Sequence, residues 1–182
     1  PTMTFDEAVT SYLQHLRAKR RSPKTLLWYE EQFNAYRRWC EAGGRDNHLP
    51  DADVIDAFLA DQHKAGSKPS TVHARYRALR AVYRFLERRR KLRHDDNPIN
   101  VMEAPFVPTE VRRHVTIEDL DLLLASIEGA DWLDHRDRLI LLILFFSGLR
   151  LGELCGLSVD DIDAQALEIT IRRGKGDKAR VV

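Results

Sequence analysis

From Leu139 to Phe146 every residue is leucine, isoleucine or phenylalanine. Such a run puts apolar side chains on all sides of a helix, so the sequence predicts a helix buried all round. Gly148 follows, the residue that most freely takes the left-handed turn ending a helix. Arg150 stands two residues further on, just beyond the expected apolar wall. A guanidinium in that place is expected to be rigidly held and partly desolvated, which strengthens its hold on phosphate or carboxylate oxygens.

A second pattern lies downstream. Leu167, Ile169 and Ile171 alternate with Glu168, Thr170 and Arg172, the period of a half-buried strand. Gly174-Lys175-Gly176-Asp177 reads as a turn, and Arg180-Val181-Val182 as the start of a returning strand. Lys175 is thereby expected near a hairpin tip, between glycines that let a backbone approach a ligand closely.

The first half reads as helices. Thr4 and Glu7 form a capping box before Phe5, Ala8, Val9, Tyr12, Leu13 and Leu16. Ser22-Pro23 opens a second helix with the stripe Leu26, Tyr29, Phe33, Tyr36 and Cys40, stopped by Gly43-Gly44. Asp51 opens a third, carrying Val54, Ile55, Phe58 and Leu59, which ends at Ala65-Gly66. Ser70 is expected to cap a fourth, with Val72, Tyr76, Leu79, Tyr83 and Leu86 on its apolar side. At 100° per residue, His73, Arg77, Arg80 and Arg84 fall within roughly 60° of one another on a different side. No acid interrupts that stripe before Glu87. Lys68 and the Ser70-Thr71 helix start lie at its head, where free backbone N–H groups are ready phosphate ligands.

Residues 98–115, with Pro98, Pro105 and Pro108, read as a linker between a helical domain (1–97) and a second domain (116–182). Thr116 to Asp119 opens a helix bearing Leu120, Leu123, Leu124 and Ile127, and Asp131 to Asp134 leads into the apolar helix. Ser158 to Asp161 caps a short turn before the strands. Charge divides along the same line. Residues 1–106 hold 19 Lys and Arg against 14 Asp and Glu, and residues 107–182 hold 10 against 14. A basic first half points to a polyanionic partner.

The longest apolar run falls far short of the ~20 residues a bilayer span needs. With no charged-then-apolar leader at the start, a cytoplasmic location without membrane association is expected. Cys40 and Cys155 stand alone, so neither a disulfide framework nor a zinc site is expected. No cofactor is expected either.

Ser147-Gly148-Leu149-Arg150-Leu151-Gly152-Glu153-Leu154 resembles the box around the first catalytic arginine of the tyrosine recombinase (phage integrase) family. Gly174-Lys175-Gly176-Asp177-Lys178-Ala179-Arg180 resembles that family's β-hairpin lysine box, and the match is nearest to its Xer-like members. The resemblance implies a mainly α chain: a four-helix, SAM-like core-binding domain, then the helices and β-hairpin that begin an α/β catalytic domain. It implies double-stranded DNA as partner, together with other recombinase protomers in a synaptic complex. Family members cleave DNA by attack of a tyrosine on a phosphodiester, leaving a 3′-phosphotyrosyl link and a free 5′-hydroxyl.

The same resemblance makes Arg150 a stabiliser of phosphate charge and Lys175 the general acid for the departing 5′ oxygen, with Glu153 able to hold Arg150. Lys24, Lys68, Ser70, Thr71, His73, Arg77, Arg80 and Arg84 are the expected DNA contacts. The family also needs a later His-x-x-Arg box, a further His or Trp and a nucleophilic tyrosine, and none of these follows Lys175 within the 182 residues. Tyr12, Tyr29, Tyr36, Tyr76 and Tyr83 all lie in the helical half and make poor nucleophile candidates. The expectation is therefore a recombinase fragment that binds DNA and is inactive alone. Two alternatives are a non-catalytic regulator or decoy, and a helical protein-interaction domain whose basic stripe is merely solvated.

Overall fold

Thr4 begins the first helix with a reciprocal cap. Its Oγ accepts from the Glu7 N–H at 3.2 Å while Glu7 Oε2 accepts from the Thr4 N–H at 2.8 Å. In the computed structural model, which describes residues 3–109, 111, 113–172 and 179–182, this helix is α1, Phe5–Ala18. Ser22 caps α2, Pro23–Ala42, with Pro23 in its first turn, and Asp51 caps α3, Ala52–Lys64. The fourth helix, α4, spans Pro69–Arg88.

Ser70 does not cap α4. Lys68 holds the N-cap position without a side-chain bond, and Ser70 falls inside the first turn. Pro69 is the reason: its fixed φ and missing N–H suit the first helical position, so the helix starts there.

The chain divides into two compact units, Pro1–Glu110 and Val111–Val182. In the first, α4 packs against α1, α2 and α3. Val72, Tyr76, Leu79, Val82, Tyr83 and Leu86 of α4 are buried against Phe5, Phe33, Tyr36, Ile55 and Phe58. Burying one such side chain is worth about 1.5–3 kcal/mol. The aromatic rings also meet in favourable pairs, Phe5 with Tyr36 at 4.6 Å and Tyr36 edge-on to Phe58 at 5.2 Å. The segment after α4 does not leave the core at once. Asn97 is buried, donates to Glu87 at 2.7 Å and accepts from the Ile99 N–H at 3.1 Å, which sets Ile99 into the core through a 3-10 turn at Pro98–Asn100.

The second unit contains α5 (Ile117–Ala125), α6 (Trp132–Ser147) and α7 (Leu151–Leu154). A 3-10 turn at Val159–Asp161 leads to three short antiparallel strands: β1 (Ile162–Asp163), β2 (Glu168–Ile171) and β3 (Arg180–Val181). Their order is β1-β2-β3, with Ile162 opposite Ile169 and Thr170 opposite Val181. The period-two pattern holds from Glu168 on. Leu167 departs from it, with φ +57° and 86% exposure, because it closes the turn that turns β1 back into β2. Lys175, expected near a hairpin tip, lies with the rest of residues 173–178 outside the described residues.

The apolar helix overturns a second expectation. No residue of α6 is fully buried, and Leu139 and Phe146 are 54% and 72% exposed. Among the described residues, α6 packs on α5 and α7, and two short elements cannot cover every side of a helix about 10–12 Å across.

Candidate functional site

Gly148 ends α6 in the left-handed conformation, φ +62° and ψ +23°. Leu149 then turns inward and is buried, and Arg150 takes an extended conformation as the N-cap of α7. This reversal sets Glu153, at the third helical position, directly under Arg150. Glu153 Oε2 accepts from the Arg150 backbone N–H at 2.9 Å, and Oε1 accepts from Arg150 Nη1 at 2.9 Å. From β3, Arg180 adds a bidentate pair, Nη1 to Oε1 and Nη2 to Oε2, both 2.8 Å.

One carboxylate thus receives four charge-assisted or backbone hydrogen bonds while its side chain is only 5% exposed. Arg180 first, then the Arg150 N–H and guanidinium, hold the Glu153 carboxyl well below the usual carboxylate range against the opposing effect of burial. The same pairing raises the pKa of Arg180. Arg150 is not desolvated as expected: its side chain is 60% exposed. Among the described residues only Nη1 of its guanidinium is engaged. Two guanidinium groups against one carboxylate leave a net positive charge, with the Arg150 donors facing outward.

The second group of expected residues lies in the first unit. Arg77, Arg80 and Arg84 line a shallow cleft of about 230 Å³ with Ala81, Trp28 and Tyr29. The Arg77 guanidinium lies 5.9 Å from the Trp28 ring centre, within the range of a cation–π contact. Arg84 is partly neutralised by Glu87 at 3.3 Å. Glu87 also accepts from His94 and Asn97, at 2.6 and 2.7 Å, and these two hydrogen bonds are the main reason its carboxyl lies below its ordinary value. His73 is taken up differently, with Nδ1 donating to the Pro105 carbonyl at 2.9 Å. Lys68 and Ser70 are exposed and Thr71 half-buried at the head of α4, about 21 Å along the helix from Arg84 at 1.5 Å per residue. Lys24 is exposed on the first turn of α2, one turn before Trp28.

Three participants escaped the sequence reading. Arg180 stands within the glycine-lysine segment, but nothing local shows that its partner is Glu153. Trp28 lies outside the apolar stripe that the sequence marks on α2, and Glu87 read as the acid that merely closes the basic one.

A four-helix unit followed by helices and a small antiparallel sheet, with an arginine clasped by a glutamate at the turn into α7, defines the class of protein. The sequence matches the family description "Phage integrase, N-terminal SAM-like domain" over residues 9–90 and "Phage integrase family" over residues 113–182. The chain belongs to the phage integrase, or tyrosine recombinase, family.

Within that family it is similar to the tyrosine recombinase XerC of Pseudomonas savastanoi pv. phaseolicola. The two are 32% identical over 181 residues, covering 98% of this chain and 59% of the relative. It is likewise 33% identical to the tyrosine recombinase XerA of Thermococcus kodakarensis, over 97% of this chain and 57% of that protein. The chain thus spans less than two thirds of the length of these relatives. Its fold is similar to that of a lambda integrase tetramer bound to a Holliday junction, with a TM-score of 0.75 at 20% identity over 100% of this chain and 51% of the other.

Proposed function

We propose that this chain is the DNA-gripping portion of a site-specific tyrosine recombinase and carries the first part of its active site. The observation that carries this reading is the exposed Arg150 guanidinium fixed by the buried Glu153 carboxylate. A cation braced from one side and open on the other suits a phosphate whose non-bridging oxygens gain charge during cleavage. Lys175 serves as general acid toward the 5′ oxygen. The α4 stripe holds the duplex, with Arg77 and Arg80 on the backbone and Lys24, Lys68, Ser70 and Thr71 extending the contact. The relatives solved on DNA or named as recombinases support duplex DNA and further protomers as partners.

The nucleophile belongs to the part of the relatives' length that this chain does not span. Tyr12, Tyr36, Tyr76 and Tyr83 are buried in the first unit's core. Burial pushes the phenols of Tyr12, Tyr36 and Tyr83 upward, away from nucleophilic use.

A salt titration of duplex binding tests the reading. Arg77→Ala and Arg80→Ala should each lower the slope of log K against log salt by about 0.9. Arg84→Ala should lower it less, because Glu87 already offsets that charge. Unchanged slopes in folded variants would reject α4 as the DNA-binding face.

A further inference from the structure

All four helices of the first unit end in the same turn. After α2 and α3 the residue with positive φ is glycine, Gly44 at +57° and Gly66 at +81°. Its N–H bonds back three residues, and the next N–H bonds back five: Arg45 to the Cys40 carbonyl at 2.9 Å, Ser67 to that of Gln62 at 3.0 Å. After α1 and α4 the turn is the same, with Arg21 bonding to Leu16 at 3.0 Å and Lys91 to Leu86 at 2.9 Å. Here the left-handed position holds arginine, Arg20 at +51° and Arg90 at +55°. A side chain is disfavoured there by its Cβ, so a glycine would fit more easily. Backbone strain kept at two equivalent positions points to a use for the side chains.

Both arginines stand at one end of the unit. Arg89 Nη2 reaches His15 Nδ1 at 3.2 Å and Lys91 Nζ donates to Ser11 Oγ at 3.3 Å, tying the end of α4 to α1. Lys19, Arg20, Arg21, Arg88, Arg89 and Arg90 are all exposed, and none forms an ion pair among the described residues. His15, between them, registers the crowding: burial, then Lys19, Arg89 and Arg88, lower its pKa. Arg88 is also one turn past Arg84, on the side of α4 that carries the stripe, so through Arg88 the cluster adjoins the stripe.

We propose that the end of the four-helix unit formed by the α1 and α4 C-termini is a second phosphate-backbone contact, holding duplex DNA beyond the α4 stripe. It rests on the reading of the chain as DNA-binding. Continuity with the stripe favours one polyanion running over both, rather than an acidic face of a second copy.

The test replaces arginine by the residue the backbone prefers. In the full 182-residue chain, Arg20→Gly with Arg90→Gly, and separately Arg20→Asn with Arg90→Asn, are titrated with a 30-base-pair duplex over a salt series. Melting temperature should be unchanged or raised by a few degrees, while the salt slope falls by about two units and affinity drops several-fold. Affinity and slope equal to wild type overturn the proposal, as does a lowered melting temperature in both pairs, which would mean the arginines serve the fold. Weakened self-association in sedimentation, with DNA affinity intact, overturns it in favour of a second copy. If Arg77→Ala and Arg80→Ala weaken binding and the helix-end pairs do not, this inference alone fails. If the wild-type chain does not bind the duplex, the DNA-binding reading fails with it.

Discussion

Arg180 on β3 donates two hydrogen bonds of 2.8 Å to the carboxylate of Glu153 on α7. That carboxylate is the one that fixes Arg150, so β3 is joined through a single acid to the first arginine. The arrangement has a mechanical consequence. Glu153 cannot shift toward Arg150 without releasing Arg180, and β3 cannot slide without disturbing the Arg150 brace.

Acid should undo this brace. The folded carboxyl lies below its ordinary value of 4.5 because Arg180, then Arg150, favour the charged form. A depressed pKa contributes stability that is full above 4.5 and is lost as pH falls toward the folded value. Glu153→Gln should therefore melt below wild type at pH 7, and the gap should narrow steadily below about pH 4.5. A gap independent of pH between 7 and 3, measured by calorimetry, would show that the carboxylate's charge is not what holds the two arginines.

Gly148 isolates a backbone effect. With φ at +62° and no atom within 4 Å of a Cβ placed there, the cost of Gly148→Ala is conformational and not steric crowding. Chemical denaturation should show a loss of about 1–2 kcal/mol, and Gly148→Asn, better suited to the left-handed region, should lose less. Equal losses for Ala and Asn would mean that some other contact at the α6 end sets the penalty.

The buried tyrosines predict silence in a covalent assay. A nicked suicide substrate incubated with this chain should yield no denaturation-resistant protein–DNA adduct. An adduct mapped to Tyr12, Tyr29, Tyr36, Tyr76 or Tyr83 would overturn the assignment of the nucleophile to residues outside this chain.

In the complete enzyme, sulfur should separate the two proposed catalytic roles. Arg150→Ala and Lys175→Ala should each slow cleavage by about 10²–10⁴. A 5′-bridging sulfur departs with little need of a proton, so a 5′-phosphorothiolate substrate should rescue Lys175→Ala and leave Arg150→Ala slow. Rescue of both variants, or of neither, would show that the roles are not divided in this way.

Helix starts were legible from residue order because a cap is a local event. Thr4, Ser22, Asp51, Thr116 and Asp131 each bond to an N–H two or three residues on, and no distant residue is needed. The same holds for the left-handed exit at Gly148 and for the apolar stripes of α1 to α4, whose period follows from helix geometry alone. The Ser147–Leu154 and Gly174–Arg180 segments likewise identified the family, since short, ordered residue patterns carry that information.

Tertiary structure decided what depends on partners far apart in sequence. Composition marked α6 as buried, yet burial is a property of what surrounds a helix, and α5 and α7 leave it half open. His73, read as one member of a basic stripe, is bound to the Pro105 carbonyl across 32 residues of sequence. Arg180 reaches Glu153 across 27. Neither pairing leaves a periodic trace, because a hydrogen bond between separate elements is set by how their backbones pack and not by the spacing of residues along the chain.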